Sequence, residues 1–174
     1  MKPLLMPLMA LLFFACQPAA EQPAAEAPAE ETTDLAMEAF ETNAKVVRQY
    51  LDHFINKDMD AMKAMMSDDF FMSPPEWGQD SLDTEQWQER EQFFMDNYSE
   101  ITFEDDQYFA GLDDDQTPNG DVRVYGNWHF TYNGNNQRGA MKFYAVFFFN
   151  EEGKINGVME WFNTADLVPK DADS

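Results

Sequence analysis

Cysteine is almost missing from this chain: its 174 residues include one, Cys16, so no disulfide can close within a single copy. Histidine is nearly as scarce, and His53 and His129 lack the short spacing of paired zinc ligands. Basic residues are few, 11 Lys and Arg against 33 Asp and Glu, for a net charge of −22. Such a field repels nucleic-acid phosphates and anionic membrane surfaces, so no nucleic-acid partner is expected. Glycine-rich phosphate loops and nucleophile elbows are absent, as is any apolar run of the ~20 residues a bilayer span takes. The oxygen-rich stretch Asp113 to Asp121 fails the calcium-loop spacing, because the twelfth position counted from Asp115 is Gly126 where a bidentate Glu is needed. It reads as a solvated hairpin loop, and neither a metal nor a cofactor is expected.

What is present begins with an address. Lys2 precedes the apolar run Leu4 to Phe14, then Ala15 and the lone Cys16. Leu12-Phe13-Phe14-Ala15-Cys16 resembles the lipobox of bacterial lipoprotein signals in its small residue and its cysteine. The expectation is a signal peptide over 1–15, lipid attachment at Cys16 and a membrane-anchored position in a bacterial cell envelope. Residues 16–34 follow as a Pro, Ala and Glu run with almost nothing to bury, expected to be an extended tether.

Residues 35–174 hold nearly all the aromatics and are long enough for one core. Val46, Tyr50 and Phe54 recur every four positions beside Val47, Leu51 and Ile55, which predicts a long first helix from about Phe40 to Ile55. Asp58 caps a short second helix through Met66, turning Met62, Met65 and Met66 inward as adaptable packing. A third helix starts near Asp83 or Thr84, with Leu82 just ahead, and buries Trp87, Phe94 and Tyr98. Strands are predicted at Asp69 to Ser73, Ile101 to Ala110, Asp121 to Tyr132, Gly139 to Asn150 and Lys154 to Asn163. Asn119-Gly120, Asn133-Gly134 and Glu152-Gly153 mark the hairpin turns. Helices followed by an antiparallel meander predict an α+β fold, three N-terminal helices packed on a curved antiparallel sheet.

YLDHFINKDMDAMKAMMSDDFFMSPP from Tyr50 and FFFNEEGKINGVMEWFNTADL near the end, with Asp58-x-Asp60, Asp68-Asp69 and the Trp161-Phe162 pair, resemble the nuclear transport factor 2-like superfamily. The SnoaL-like and ketosteroid isomerase-like branches are the nearest, over about Ala44 to Val168. The resemblance implies a cone around an apolar pocket that serves enzymes, carriers and assembly domains alike, so fold does not settle function. It also implies, for the isomerase branch, a helix-1 tyrosine and a strand acid as oxyanion donors with a second carboxylate as base. Tyr50 fills the tyrosine position, but the base position falls at Pro74 and the acid at Ala145, which argues against that activity.

Other acids and bases of the chain could take those places. In the last strand Asn156, Val158, Glu160 and Phe162 share one face; if it looks into the cone, Glu160 stands among aromatics with a raised pKa. Asn163 stands where the resemblance often has aspartate. His129 shares a strand face with Arg123, Tyr125, Asn127 and Thr131 that could line the pocket. The candidate catalytic residues are therefore Tyr50, His129 and Glu160, and the candidate pocket residues Tyr50, Phe54, Phe94, Phe147, Val158 and Phe162. Three readings follow: binding of a small, mostly apolar molecule without turnover, which is preferred; a pocket cyclase, isomerase, dehydratase or hydrolase; and a module that forms a homodimer through its sheet.

Overall fold

The computed structural model describes residues 28–168. Cys16, its leader and the first part of the expected tether lie outside them. The first helix, α1 (Pro28–Ile55), begins inside the segment assigned to the tether by its composition. Asp58 caps α2 (Met59–Ala64), accepting from the Ala61 amide at 3.0 Å. That helix stops two residues short of the expected Met66, which instead opens β1 (Met66–Ser73). The third helix, α3 (Thr84–Asn97), starts with a full capping box: Asp83 takes the Gln86 amide at 2.9 Å and Gln86 takes the Asp83 amide at 3.1 Å.

Four long strands complete the sheet: β2 (Tyr98–Leu112), β3 (Pro118–Tyr132), β4 (Gln137–Phe149) and β5 (Ile155–Trp161). Their order is β1-β5-β4-β3-β2. The last four strands form the expected antiparallel meander, but β1 joins β5 in parallel, so the sheet is mixed. No hairpin ties β1 to a neighbour; it reaches β2 through α3, and its direction is set by where that crossover leaves it.

One expected turn is elsewhere. The β2–β3 chain reverses at residues 113–117, where the Asp113 amide meets the Thr117 carbonyl at 2.9 Å and Asp115 accepts from the Thr117 amide and hydroxyl. Asn119-Gly120 lies inside β3. There Gly120, at φ +86°, lets α1 pass close: an added Cβ would sit 3.2 Å from the Ala39 Cβ, and Asn43 donates to the Gly120 carbonyl at 2.9 Å. The helices cover the inner face of the curved sheet, where Val47, Trp87, Val122, Val124 and Phe147 are nearly or fully buried.

Candidate functional site

Helices and inner sheet face enclose a cavity with about 60 Å³ of room for the centre of a water-sized sphere, and about 640 Å³ of void with its mouth included. The inner room equals about four to six waters at roughly 10–15 Å³ each. That suits a slender ligand. Phe54 from α1, Phe94 from α3, Trp128 and Phe130 from β3, and Phe143 and Phe147 from β4 wall it, with Phe162 beyond β5. The C-terminal segment adds Leu167, whose carbonyl accepts the Tyr98 hydroxyl at 2.9 Å.

Tyr50, Glu91 and Glu160 bring polar groups into this apolar space, and Tyr98 and Trp128 share its wall. Tyr50 accepts from the Trp87 indole N–H at 3.2 Å and meets Phe147 edge-on at 5.4 Å. Its own proton stays available to a carboxylate or ligand. Burial, then the charges of Glu91 and Glu160, raise its pKa well above the ordinary tyrosine value. Glu91 is 7% exposed, and among the described residues no hydrogen bond reaches it. Desolvation, then the neighbouring Glu160, push its carboxyl up to about 8, against an opposing pull from Arg90. Glu160 is likewise lifted, to about 7, by desolvation; Arg90 again opposes and Glu76 adds to the rise. Both carboxyls are thus raised toward neutral pH, Glu91 further than Glu160.

Arg90 sits at the edge of this group. Its Nη1 is 3.2 Å from the Glu76 carboxylate, its guanidinium lies over the rings of Phe94 and Phe162, and its Nε and Nη2 are buried without a partner.

The sequence candidates separate cleanly. Tyr50 and Glu160 converge on the cavity, whose wall also includes Phe54, Phe94, Phe147 and Phe162. Val158 does not line it; at 2% exposure it belongs to the packed core. His129 is placed on the opposite face, its side chain 45% exposed and its Nε2 3.9 Å from the exposed Glu104 carboxylate. The pleat explains this, since Trp128 and Phe130 on either side point inward at 6% exposure each. Asn163 caps the closing 3₁₀ turn by accepting from the Ala165 amide, so it too does other work. Ala145, the empty acid position, pairs directly with Glu160 across the β4–β5 ladder. The carboxyl is thus supplied one strand over, at the range of a cross-strand neighbour.

Glu91 was missed by sequence reasoning. Its signal is its row: Trp87, Glu91 and Met95 are four apart on one buried face of α3, and an acid on such a row is out of place unless it has a use.

A family model for the SnoaL-like domain matches residues 44–153. No curated protein matches the chain. Among solved structures, the epoxide hydrolase/cyclase-like enzyme SalBIII of pyran ring formation in salinomycin is 22% identical, with a TM-score of 0.60 over 72% of this chain and 94% of that one. A candidate polyketide cyclase from Xanthomonas campestris pv. campestris is 19% identical, at 0.59 over 75% and 96%. An NTF2-like protein from Burkholderia xenovorans is 15% identical, at 0.56 over 72% and 92%. At these identities the structures establish the cone fold and leave the chemistry open.

Proposed function

The chain belongs to the SnoaL-like family, and on that premise we propose that its domain admits a small, mostly apolar molecule to the conical cavity and moves a proton on it with the Glu91–Glu160 pair. The observation that carries this reading is the pair itself: two carboxyls desolvated in an aromatic wall, both raised in pKa, beside a tyrosine hydroxyl with its proton to spare. A catalytic acid or base works best when its pKa lies near the operating pH. Glu91, raised further, keeps the proton and donates it to a carbonyl, epoxide or leaving oxygen; Glu160, the first to ionise, takes one from carbon or from an attacking hydroxyl. Tyr50 orients the polar end of the molecule or stabilises charge as it develops there. The test is turnover of small epoxides and apolar ketones by purified protein. Activity that falls at least about 100-fold in both Glu160→Gln and Glu91→Gln supports the reading; saturable binding with no turnover returns it to a carrier.

We further propose that Cys16 is lipidated and anchors the domain in a bacterial cell envelope, on the strength of the leader and its single cysteine. Fatty-acid labelling lost in Cys16→Ser, with release from membranes, is the expected result; a soluble, unlabelled wild type refutes it. Pairing of two copies through the sheet has one specific support, the exposed outer-face row of Phe109, Tyr125 and Trp161. Sedimentation at micromolar concentration should then show a dimer that Trp161→Asp converts to monomer.

A further inference from the structure

The reading of the cavity as a ligand site leaves open what its polar end recognises. We propose that the cavity selects molecules ending in one positively charged nitrogen, a protonated primary amine on a small hydrocarbon or aromatic body. This rests on the cavity being the ligand site and deepens that reading to a ligand class.

Three observations converge. The wall contains Glu91 and Glu160 and no Lys, Arg or His. Glu91 is more than nine-tenths buried, lines the space and is met by no hydrogen bond from a described residue, so its carboxyl faces the cavity without a protein donor. The rest of the wall is aromatic, including Phe54, Phe94, Trp128 and Phe143, and aromatic faces attract cations most when water is excluded.

Charge counting decides between ligand classes. Arg90 is the neighbouring cation, and Glu76 already balances it at 3.2 Å. With one of the two carboxyls ionised, the pair then leaves a single unbalanced negative charge in low dielectric. An ammonium cancels it, an alcohol leaves it, and a carboxylate doubles it at a cost that rises steeply away from water. The chain's net charge of −22 draws cations toward the mouth as well.

The groups that act on the pair are Tyr50 from α1, Arg90 from α3 and Glu76 from the loop before α3, and Tyr98 of β2 shares the wall. Selection for the cation requires the pair to hold a negative charge. It therefore fades as pH falls and both carboxyls become protonated.

Calorimetric titration of the purified protein with benzylamine, benzyl alcohol and benzoate tests this, because the three share one ring and differ in charge. At pH 8 benzylamine should bind at least about tenfold more tightly than benzyl alcohol, with benzoate weakest. At pH 5.5 that preference should disappear. The double variant Glu91→Gln/Glu160→Gln, which removes both charges, should lose the preference at pH 8 while its circular dichroism shows that it is folded. Equal or tighter binding of the alcohol or of benzoate by the wild type overturns the cation assignment and leaves the cavity reading standing. A preference for benzylamine that survives in the double variant overturns it too, since the cation would be held elsewhere. If none of the three binds, the cavity reading itself fails and this inference goes with it.

Discussion

The two faces of strands β3 to β5 are built from the same residue types and do opposite things. On the inner face the rings meet at many angles: Trp128 on Phe143 at 74°, Tyr98 of β2 on Phe130 at 86°, and Phe143 on Phe162 at 29°. On the outer face they form one cross-strand row, Phe109 edge-on to Tyr125 at 80°, then Tyr125 stacked on Tyr144 at 4.5 Å and 19° and Tyr144 on Trp161 at 5.0 Å and 21°. The first arrangement fills a closed volume and the second decorates a surface. Adjacent residues of β5 sharpen the contrast: Glu160 lines the apolar cavity, and Trp161 is 47% exposed to water. Hydrophobicity alone would exchange them. A sequence that puts the acid inside and the indole outside is giving up stability for something the inner face does.

The sharpest way to break the comparison is to remove one large ring from each side. Trp87 is fully buried, touches Phe70 edge-on at 5.6 Å and donates to Tyr50. Trp87→Ala should cost about 3–5 kcal/mol in denaturant unfolding, the range for a buried Trp or Phe deleted from a close-packed core. Trp161→Ala should cost less than about 1 kcal/mol, the scale of one cross-strand pair. Equal losses would mean that the outer row is as buried as the inner one.

The next effect belongs to the carboxyls. Their folded pKa values lie above the unfolded value near 4.5, so the native state holds more protons than the unfolded chain between pH 4.5 and about 8. Their contribution to stability is therefore fully present below the unfolded pKa and is lost as pH rises through the folded values. Glu160→Gln should unfold about 2 kcal/mol harder than wild type at pH 8.5 and show no such gain at pH 4. A stability difference that is flat with pH would show the carboxyl to be solvated.

Much of this arrangement is legible in the chain, and what is not has a physical reason. Asp83 and Gln86 announce the start of α3, and Asp58 the start of α2, because capping is local and short polar side chains do it. Alternation could place Glu160 and Phe162 on one face of the last predicted strand, and both line the cavity, but which way that face looks is not written in the alternation itself. The direction of β1 could not, because strand direction is written in turns and β1 has none to its partner β5. Asn119-Gly120 misleads for the converse reason: the glycine serves the passage of α1 over the sheet, and no local signal separates that use from a turn. Glu91 was hidden by its helix, whose mostly polar composition makes one more acid look like surface.

Tyr50 tests whether the inner face is tuned or merely filled. Its hydroxyl accepts the Trp87 N–H, so Tyr50→Phe strands a buried donor and should cost about 1–2 kcal/mol in stability. The same variant should weaken ligand binding by about 1 kcal/mol, the scale of one neutral hydrogen bond. Loss of stability with unchanged binding would confine Tyr50 to packing.

The smallest expected effect is at His129, and it probes the comparison from its outer side. As the strand residue between Trp128 and Phe130 it is one pleat away from the cavity, and its partner Glu104 is itself exposed. A polar contact at 3.9 Å between such exposed groups contributes roughly 0–1 kcal/mol. His129→Ala should therefore leave turnover and benzylamine affinity within about twofold of wild type and shift stability by no more than about 0.5 kcal/mol. If turnover collapses instead, proton transfer would be taking place on the outer face, and the assignment of chemistry to the Glu91–Glu160 side would be reversed.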